Sequence, residues 1–167
     1  GATYDLDAAI AAAVSAQQAG ADWVDVGGCP IGRAHEVDAA EEMDRVVPLV
    51  AALATRPDFT TPIMVDTFRA SVAQQALAAG AAGVNDTSGL YDLDMAAVVA
   101  AVGARLVLAH SRTWPDPDLP RPPYRDVVAE VRDDLRRLAH RAVNAGVHPA
   151  RIIIDPGHDL WKPPTSR

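Results

Sequence analysis

Hydrophobic and polar positions follow one repeating order along this chain: a helical stretch, a glycine, a short apolar run and a polar tip. Apolar residues at three- and four-residue spacing predict a helix over Leu6 to Ala19, stopped at Gly20. The run from Trp23 to Val26 predicts a strand that ends in "DVGG". A second helix is expected over Asp38 to Ala54, with Asp38 as its N-cap and Glu41 as the capping-box partner. The cycle then repeats. Strand Ile63 to Val65 leads to helix Arg69 to Ala79, strand Ala82 to Asn85 to helix Leu93 to Val102, and strand Arg105 to Ala109 to helix Tyr124 to Ala145, with a last strand over Arg151 to Ile154. The joints "AGAD", "AGAA" and "AGVH" mark each return from helix to strand. This alternation indicates an α/β chain with a parallel sheet, either an open doubly wound sheet or an eight-stranded barrel.

In both architectures ligands bind beyond the carboxyl ends of the strands. Every predicted strand ends in groups able to face such a site: Asp25 with Gly27 and Gly28, Asp66 with Thr67, Asn85 with Asp86, His110 with Ser111 and Arg112, and Asp155. Taken singly, Thr67 or Asp86 reads as a cap of the following turn. Polar groups at all the tips form a pattern, because burying a carboxylate or amide is costly without a partner. A ring of carboxylates and amides suits a neutral heterocycle rich in N–H donors, since a carboxylate accepts two hydrogen bonds in one plane. Gly27, Gly28 and Gly157 let backbone approach a ligand or adopt positive φ. "VDVGG" lacks the spacing of a dinucleotide fingerprint, so no such site is read here.

Composition narrows the classes further. With 167 residues, 49% apolar and 22% charged, the chain is expected to form a single globular domain over residues 1 to 167. A formal charge of -7 argues against a nucleic-acid partner, and charged residues interrupt each apolar block, which argues against a membrane span. The lone cysteine, Cys29, excludes an internal disulfide and a paired-cysteine zinc site, so the expectation is a cytoplasmic protein with no metal held by these residues. The first residue is Gly1 rather than Met, and a natural start is expected to precede it. Lys162 is the one lysine among 15 cationic residues. Trp23 and Met64 are expected to pack a helix against the sheet. Arg132, Arg136, Arg137 and Arg141 read as a solvated helix face balanced by Glu130, Asp133 and Asp134. His35 and His140 are placed on the surface, and Trp114 in a proline-rich loop.

The segments "GADWVDVGG", "EVDAAEEMDRVVPLV", "MVDT", "AGAAGVNDTSG", "LVLAHSRT" and "IIIDPGHDLWK", in this order and at these intervals, resemble the dihydropteroate synthase family. The resemblance implies a partial TIM (β/α)8 barrel of about five βα units, with the first and last strands missing. It also implies a transferase of folate biosynthesis, in which the amine of p-aminobenzoate displaces pyrophosphate from a pterin methyl diphosphate with Mg2+ on the leaving group. The main ligand for that metal would lie outside this chain. Asp66, Asn85 and Asp155 match the family's pterin-binding positions, Lys162 is implied as a catalytic residue, and Asp25, Gly28, Arg33, His110 and Arg112 as further lining of the site. The full-length protein is expected to be a homodimer.

The sequence also departs from the family pattern. Where a Ser-Thr-Arg-Pro run normally follows the first glycine pair, this chain has "CPIGRAHEV"; Ala109 replaces a methionine, and His158 and Trp161 replace other family residues. The lysine and Arg-x-His strands that grip the ring and diphosphate would follow Arg167, so residues 1 to 167 alone are expected to be inactive. Two other activities stay open beside the synthase: a non-synthase paralogue with a pterin-like pocket, and a pterin-dependent methyltransferase.

Overall fold

A computed structural model describes residues 5–30, 36–112, 123–158, 160 and 162. Helix α1 (Leu6–Gln18) leads to β1 (Val24–Gly27), α2 (Ala39–Ala54), β2 (Ile63–Asp66), α3 (Ala70–Ala79), β3 (Gly83–Asp86), α4 (Met95–Val102), β4 (Arg105–Ala109), α5 (Val127–Asn144), a short 3-10 turn (Pro149–Arg151) and β5 (Ile152–Asp155). The strands form one parallel sheet in sequence order, β1-β2-β3-β4-β5. Consecutive helices also pack against each other, α1 on α2 through to α4 on α5. A doubly wound sheet needs a reversal of strand order and helices on both faces. Sequential strands under a single layer of neighbouring helices are instead an arc of a (β/α)8 barrel, which settles the choice left open by the sequence.

Local chemistry sets the element ends. Asp38 accepts the Glu41 N–H at 2.8 Å as the N-cap of α2. Glu41 does not return the reciprocal bond expected of a capping box; its carboxylate pairs with Arg45 one turn on. Helix α3 has no capping side chain of its own, and Asp92 from the loop before α4 accepts the Ala70 N–H at 2.8 Å in its place. Gly80 and Gly103 close α3 and α4 in the left-handed region, at φ 117° and 65°.

Residues alternate across each strand, so the sheet has two faces with different tasks. Val26, Ile63, Val65, Val84, Leu106 and Leu108 face the helices and join Val46, Val50, Leu53, Val72, Ala73, Met95 and Val99 in the buried layer. The other face is concave. Asp25, Met64, Gly83 and Arg105 are cross-strand partners in one row, and Gly27, Asp66, Asn85 and Val107 in the next. Trp23 therefore does not pack a helix as expected: it is 37% exposed, with the guanidinium of the concave-face Arg105 over its ring. Met64 is buried, but on the concave face beside Gly83 rather than under a helix.

Gly83 is required by this crowding. A Cβ at that position would lie 2.7 Å from the Arg105 carbonyl oxygen and 2.8 Å from Met64 Cε. The first neighbour is backbone in the same sheet and cannot step aside without breaking register. Gly83→Ala is therefore expected to lower unfolding free energy by about 1–3 kcal/mol, the usual range for overpacking. Urea denaturation checks it, an unchanged midpoint being the contrary outcome.

Candidate functional site

Parallel pairing sets Asp66, the last residue of β2, level with Gly27 on one side and Asn85 on the other. A Cβ on Gly27 would meet Asp66 Cβ at 3.4 Å, an ordinary contact, so packing alone does not require glycine there. Asn85 donates from Nδ2 to Asp25 Oδ2 at 2.8 Å across β2. Asp155 ends β5 in register with Ala109, two residues beyond Ile153 of the Asn85 row, and so belongs to the same concave face one step nearer the carboxyl end. Its Oδ1 accepts the Gly157 N–H at 2.8 Å, which fixes the carboxylate at the head of the loop. Asp66, Asn85, Asp25 and Asp155 thus share the concave face, as the sequence pattern anticipated.

The electrostatics of this group are unusual for surface acids. Burial pushes the Asp66 carboxyl up to about 7, reinforced by the negative charges of Asp25, Glu42 and Asp86 and opposed by a hydrogen bond with Thr87. The Asp25 carboxyl is also raised, by desolvation against the sheet, with the Asn85 hydrogen bond pulling the other way. Asp66 is accordingly a carboxyl poised between its two charge states near neutrality.

Asp86 departs from this group. It is fully buried on the helix-facing side and accepts from the Ser88 N–H, the Ser88 hydroxyl and the Leu90 N–H, the last at 2.8 Å. Those bonds build the "DTSG" turn and hold Leu90 at a positive φ of 60°. Thr67 likewise serves its own turn, accepting the Arg69 N–H at 3.2 Å.

Several residues expected to line the site lie elsewhere. Gly28 faces α2, where a Cβ would fall 2.9 Å from Val46 Cγ2 and 3.0 Å from the Glu42 carbonyl oxygen; it permits helix-to-strand contact rather than approach to a ligand. His110 follows the concave Ala109 and so turns to the opposite face, where its Nε2 lies 2.9 Å from Asp134 Oδ2 on α5. Burial holds this imidazole below its ordinary value, so Nε2–H is the donor and Nδ1 is left buried without a partner. Arg112 joins the same group, with Nε donating to Asp134 at 2.9 Å, Nη1 to Glu130 at 2.8 Å, and its plane over the Tyr124 ring at 4.4 Å. Lys162 Nζ donates to the carbonyls of His110 at 2.9 Å and Gly157 at 2.6 Å, tying the loop after β5 to the end of β4. Gly157 has the expected positive φ, 59°. Arg33, His35 and Trp114 lie outside the described residues, as does most of the divergent "CPIGRAHEV" loop.

Two buried ion-pair networks beside the site were missed in the sequence. Asp134, assigned to a solvated helix face, is the shared acceptor of His110, Arg112 and Arg137. Glu130 and Asp134 stand one helical turn apart, and that spacing was the available signal. Glu42, in "EEMDRVVP", is wholly buried and pairs with Arg69, whose guanidinium also reaches the Val37 carbonyl and covers the Phe68 ring. Its place in the buried stripe Glu42, Val46, Leu49, Val50 and Leu53 marked it as an interior charge. The remaining expectation for α5 holds in part: Arg132 and Arg136 pair with Asp133 at the surface, while Arg141 donates to the Leu90 carbonyl at 3.2 Å. His140 is exposed.

Among the described residues no three His, Cys, Asp or Glu side chains converge to hold a cation. No helix among these residues is long and apolar enough to cross a membrane.

A parallel arc of sequential strands, with half-buried acceptor groups at their carboxyl ends, has the architecture of a (β/α)8-type protein. The chain belongs to the pterin binding enzyme family, whose model matches residues 1–167. It is 42% identical to "Inactive dihydropteroate synthase 2" of Mycobacterium tuberculosis over 97% of this chain and 52% of that protein. It is also 42% identical to dihydropteroate synthase of Mycobacterium leprae over 92% of this chain and 54% of that protein. Among solved structures, dihydropteroate synthase from Stenotrophomonas maltophilia with active site-bound imidazole superposes with a TM-score of 0.85 at 35% identity, over 95% of this chain and 57% of that one. The enzyme from Xanthomonas albilineans in complex with 7,8-dihydropteroate gives a TM-score of 0.81 at 34% identity, over 98% of this chain and 56% of that one. This chain thus spans about half the length of the relatives it matches.

The raised Asp66 carboxyl has a consequence for stability. A carboxyl whose folded value lies above its unfolded one stabilises the fold below about pH 4 and loses that contribution as pH rises through about 7. Asp66→Asn is thus expected to be more stable than the wild type above pH 7, by about 1–2 kcal/mol once partial exposure is allowed for, with the difference vanishing towards pH 4. Paired denaturant titrations at pH 4, 5.5 and 8 check it; a gap independent of pH is the contrary result.

Proposed function

We propose that this chain provides the pterin-recognition half of a dihydropteroate synthase-type transferase of folate biosynthesis. The observation that carries the reading is the concave row in which Asp66, Asn85 and Asp155 present acceptors at three strand ends of a family barrel. A pterin edge carries ring N–H and amino donors, and carboxylate and amide oxygens complement them. In the reaction, the p-aminobenzoate nitrogen forms a bond to the pterin methylene carbon while the carbon–oxygen bond to diphosphate breaks. Pyrophosphate leaves with the electron pair, and the amine releases a proton.

The residues described here act on that step by placement. Asp66, Asn85 and Asp155 hold the ring and set the methylene carbon towards the open end of the sheet, and the ionised carboxylates favour the electron-poor pterin as the leaving group departs. Lys162 enters as the residue that fixes the loop following Asp155, through the carbonyls of His110 and Gly157. Residues 1 to 167 form one unit of the barrel, and their open five-stranded sheet is expected to bind a pterin without turnover. A homodimer, a cytoplasmic location and Mg2+ belong to the proposal through the family resemblance alone.

The charge state of Asp66 enters the reading as well, because burial and neighbouring charge push its carboxyl up to about 7. A donor-rich ring selects the ionised form, so pterin affinity should rise with pH through about 7, and binding below that pH should release a proton. Asp66→Asn should weaken binding by about 1–3 kcal/mol, the cost of a lost hydrogen bond to a charged group, and flatten the pH profile. Calorimetry in buffers of different ionisation enthalpy measures both; equal affinity in the two proteins would remove Asp66 from the site.

A second reading is specifically favoured by the 42% identity to an inactive dihydropteroate synthase 2 and by the "CPIGRAHEV" loop: a paralogue that binds a pterin-like ring without condensing it. Pteroate formation from pterin methyl diphosphate and p-aminobenzoate, assayed on the full-length protein, separates the two. Turnover establishes the synthase; tight pterin binding without turnover establishes the paralogue.

A further inference from the structure

Asp25 is exposed and stands two residues before the Asp66 row, in a place the packing of the fold does not require it to fill. What it touches is Asn85, 60 positions away in sequence, through the 2.8 Å bond from Nδ2 to Oδ2. An ionised carboxylate can only accept, so the amide nitrogen must face it and the amide oxygen must face away. Asn85 Oδ1 makes no hydrogen bond among the described residues, and Asn85 is the cross-strand partner of Asp66 in the same row.

We infer that Asp25 is a positioning residue that sets the specificity of the site by holding the Asn85 amide with its oxygen towards the ligand. With that orientation Asp66 and Asn85 present two adjacent acceptors, which match a ring edge carrying two adjacent donors. With the amide reversed, the pair would read as acceptor and donor and would match a different edge. The choice between the two is made from the far side of β2, by a group that does not itself meet the ligand. The inference rests on the pterin reading above for its ligand class, while the amide orientation stands independently of it.

The probes are pterin, whose 2-amino-4-oxo edge offers neighbouring donors, and lumazine, which carries a carbonyl oxygen at position 2. Affinities of the full chain for both are measured by calorimetry in the wild type, Asp25→Ala, Asn85→Ala and the double variant. The expected result is a wild-type preference for pterin that falls about tenfold in Asp25→Ala and changes less than twofold when Asp25→Ala is added to Asn85→Ala. A preference unaltered by Asp25→Ala, or one that falls equally in both backgrounds, would overturn the inference, because a general structural role does not depend on Asn85. Should Asp25→Ala fail to fold, Asp25→Asn replaces it, since an amide there offers the Asn85 side chain either orientation. In the ligand-free protein, the Asn85 side-chain amide proton should resonate downfield as a carboxylate-bonded N–H and lose that shift in Asp25→Ala; no change sinks the proposed orientation. If the wild type binds neither pteridine, the pterin reading falls while this resonance still decides what Asp25 does.

Discussion

The structure depends on the register of a parallel sheet that seats a carboxylate where water is scarce. Asp66 is the last residue of β2 and cannot leave the concave face without moving Val65 out of the helix-packed layer, because a strand alternates with a period of two. Its neighbours make ionisation harder, with Asp25, Glu42 and Asp86 all contributing negative charge. A fold selected for stability alone would place an apolar or small residue there. A carboxyl kept there at a cost to stability is the pattern that functional sites show.

The two faces of the sheet divide labour around that constraint. On the helix side, buried charges are satisfied internally: Glu42 by Arg69, Asp86 by the turn it builds, and Asp134 by His110, Arg112 and Arg137. Those networks lock the segments after β2, β3 and β4, and Arg69 also reaches the Val37 carbonyl in the segment after β1. Glu130 belongs to the same scaffold; hydrogen bonds from the Asp126 backbone, Arg112 and the Arg125 backbone hold its carboxyl down to about 2. On the concave side, the Asn85 oxygen and the Asp66 carboxylate keep accepting capacity. A groove of about 820 Å3 between α5 and β5, lined by Val127, Val131, Leu135, Ile154, Pro156 and Lys162, belongs to the helix side and not to this row.

Much of the fold was legible because its determinants are local. The glycine stops at Gly80 and Gly103 and the N-cap at Asp38 act within a turn, and the predicted strands fall within one or two residues of those observed. The concave grouping of Asp66, Asn85 and Asp155 was legible because strand tips in such a sheet share one end. Which face a tip residue takes was less so. His110 and Gly28 stand one residue beyond concave positions, and a shift of one reverses the face, so a list of tip residues mixes both sides of the sheet. Trp23 was misassigned for the same reason, its hydrophobicity suggesting the helix layer while its contact is with Arg105. The pairing of Asp25 with Asn85 was invisible, because it depends on two strands reaching across a third and on no motif.

Recognition and turnover need not reside in the same residues. The row described here offers acceptors for a ring edge, and nothing in it must differ between a synthase and a protein that only holds the ring. That accounts physically for equal identity, 42%, to a mycobacterial synthase and to an inactive homologue. Condensation adds separate demands: a second substrate placed in line with the methylene carbon, and compensation for the charge of departing pyrophosphate. The described cations closest to the strand ends are already committed, Arg112 to Asp134 and Glu130, Arg69 to Glu42 and the Val37 carbonyl, and Lys162 to two backbone carbonyls. Using any of them to stabilise pyrophosphate would mean breaking a contact that holds a loop in place. On the proposed reading, condensation therefore draws on groups beyond Asp66, Asn85 and Asp155, whose part is the recognition of the ring.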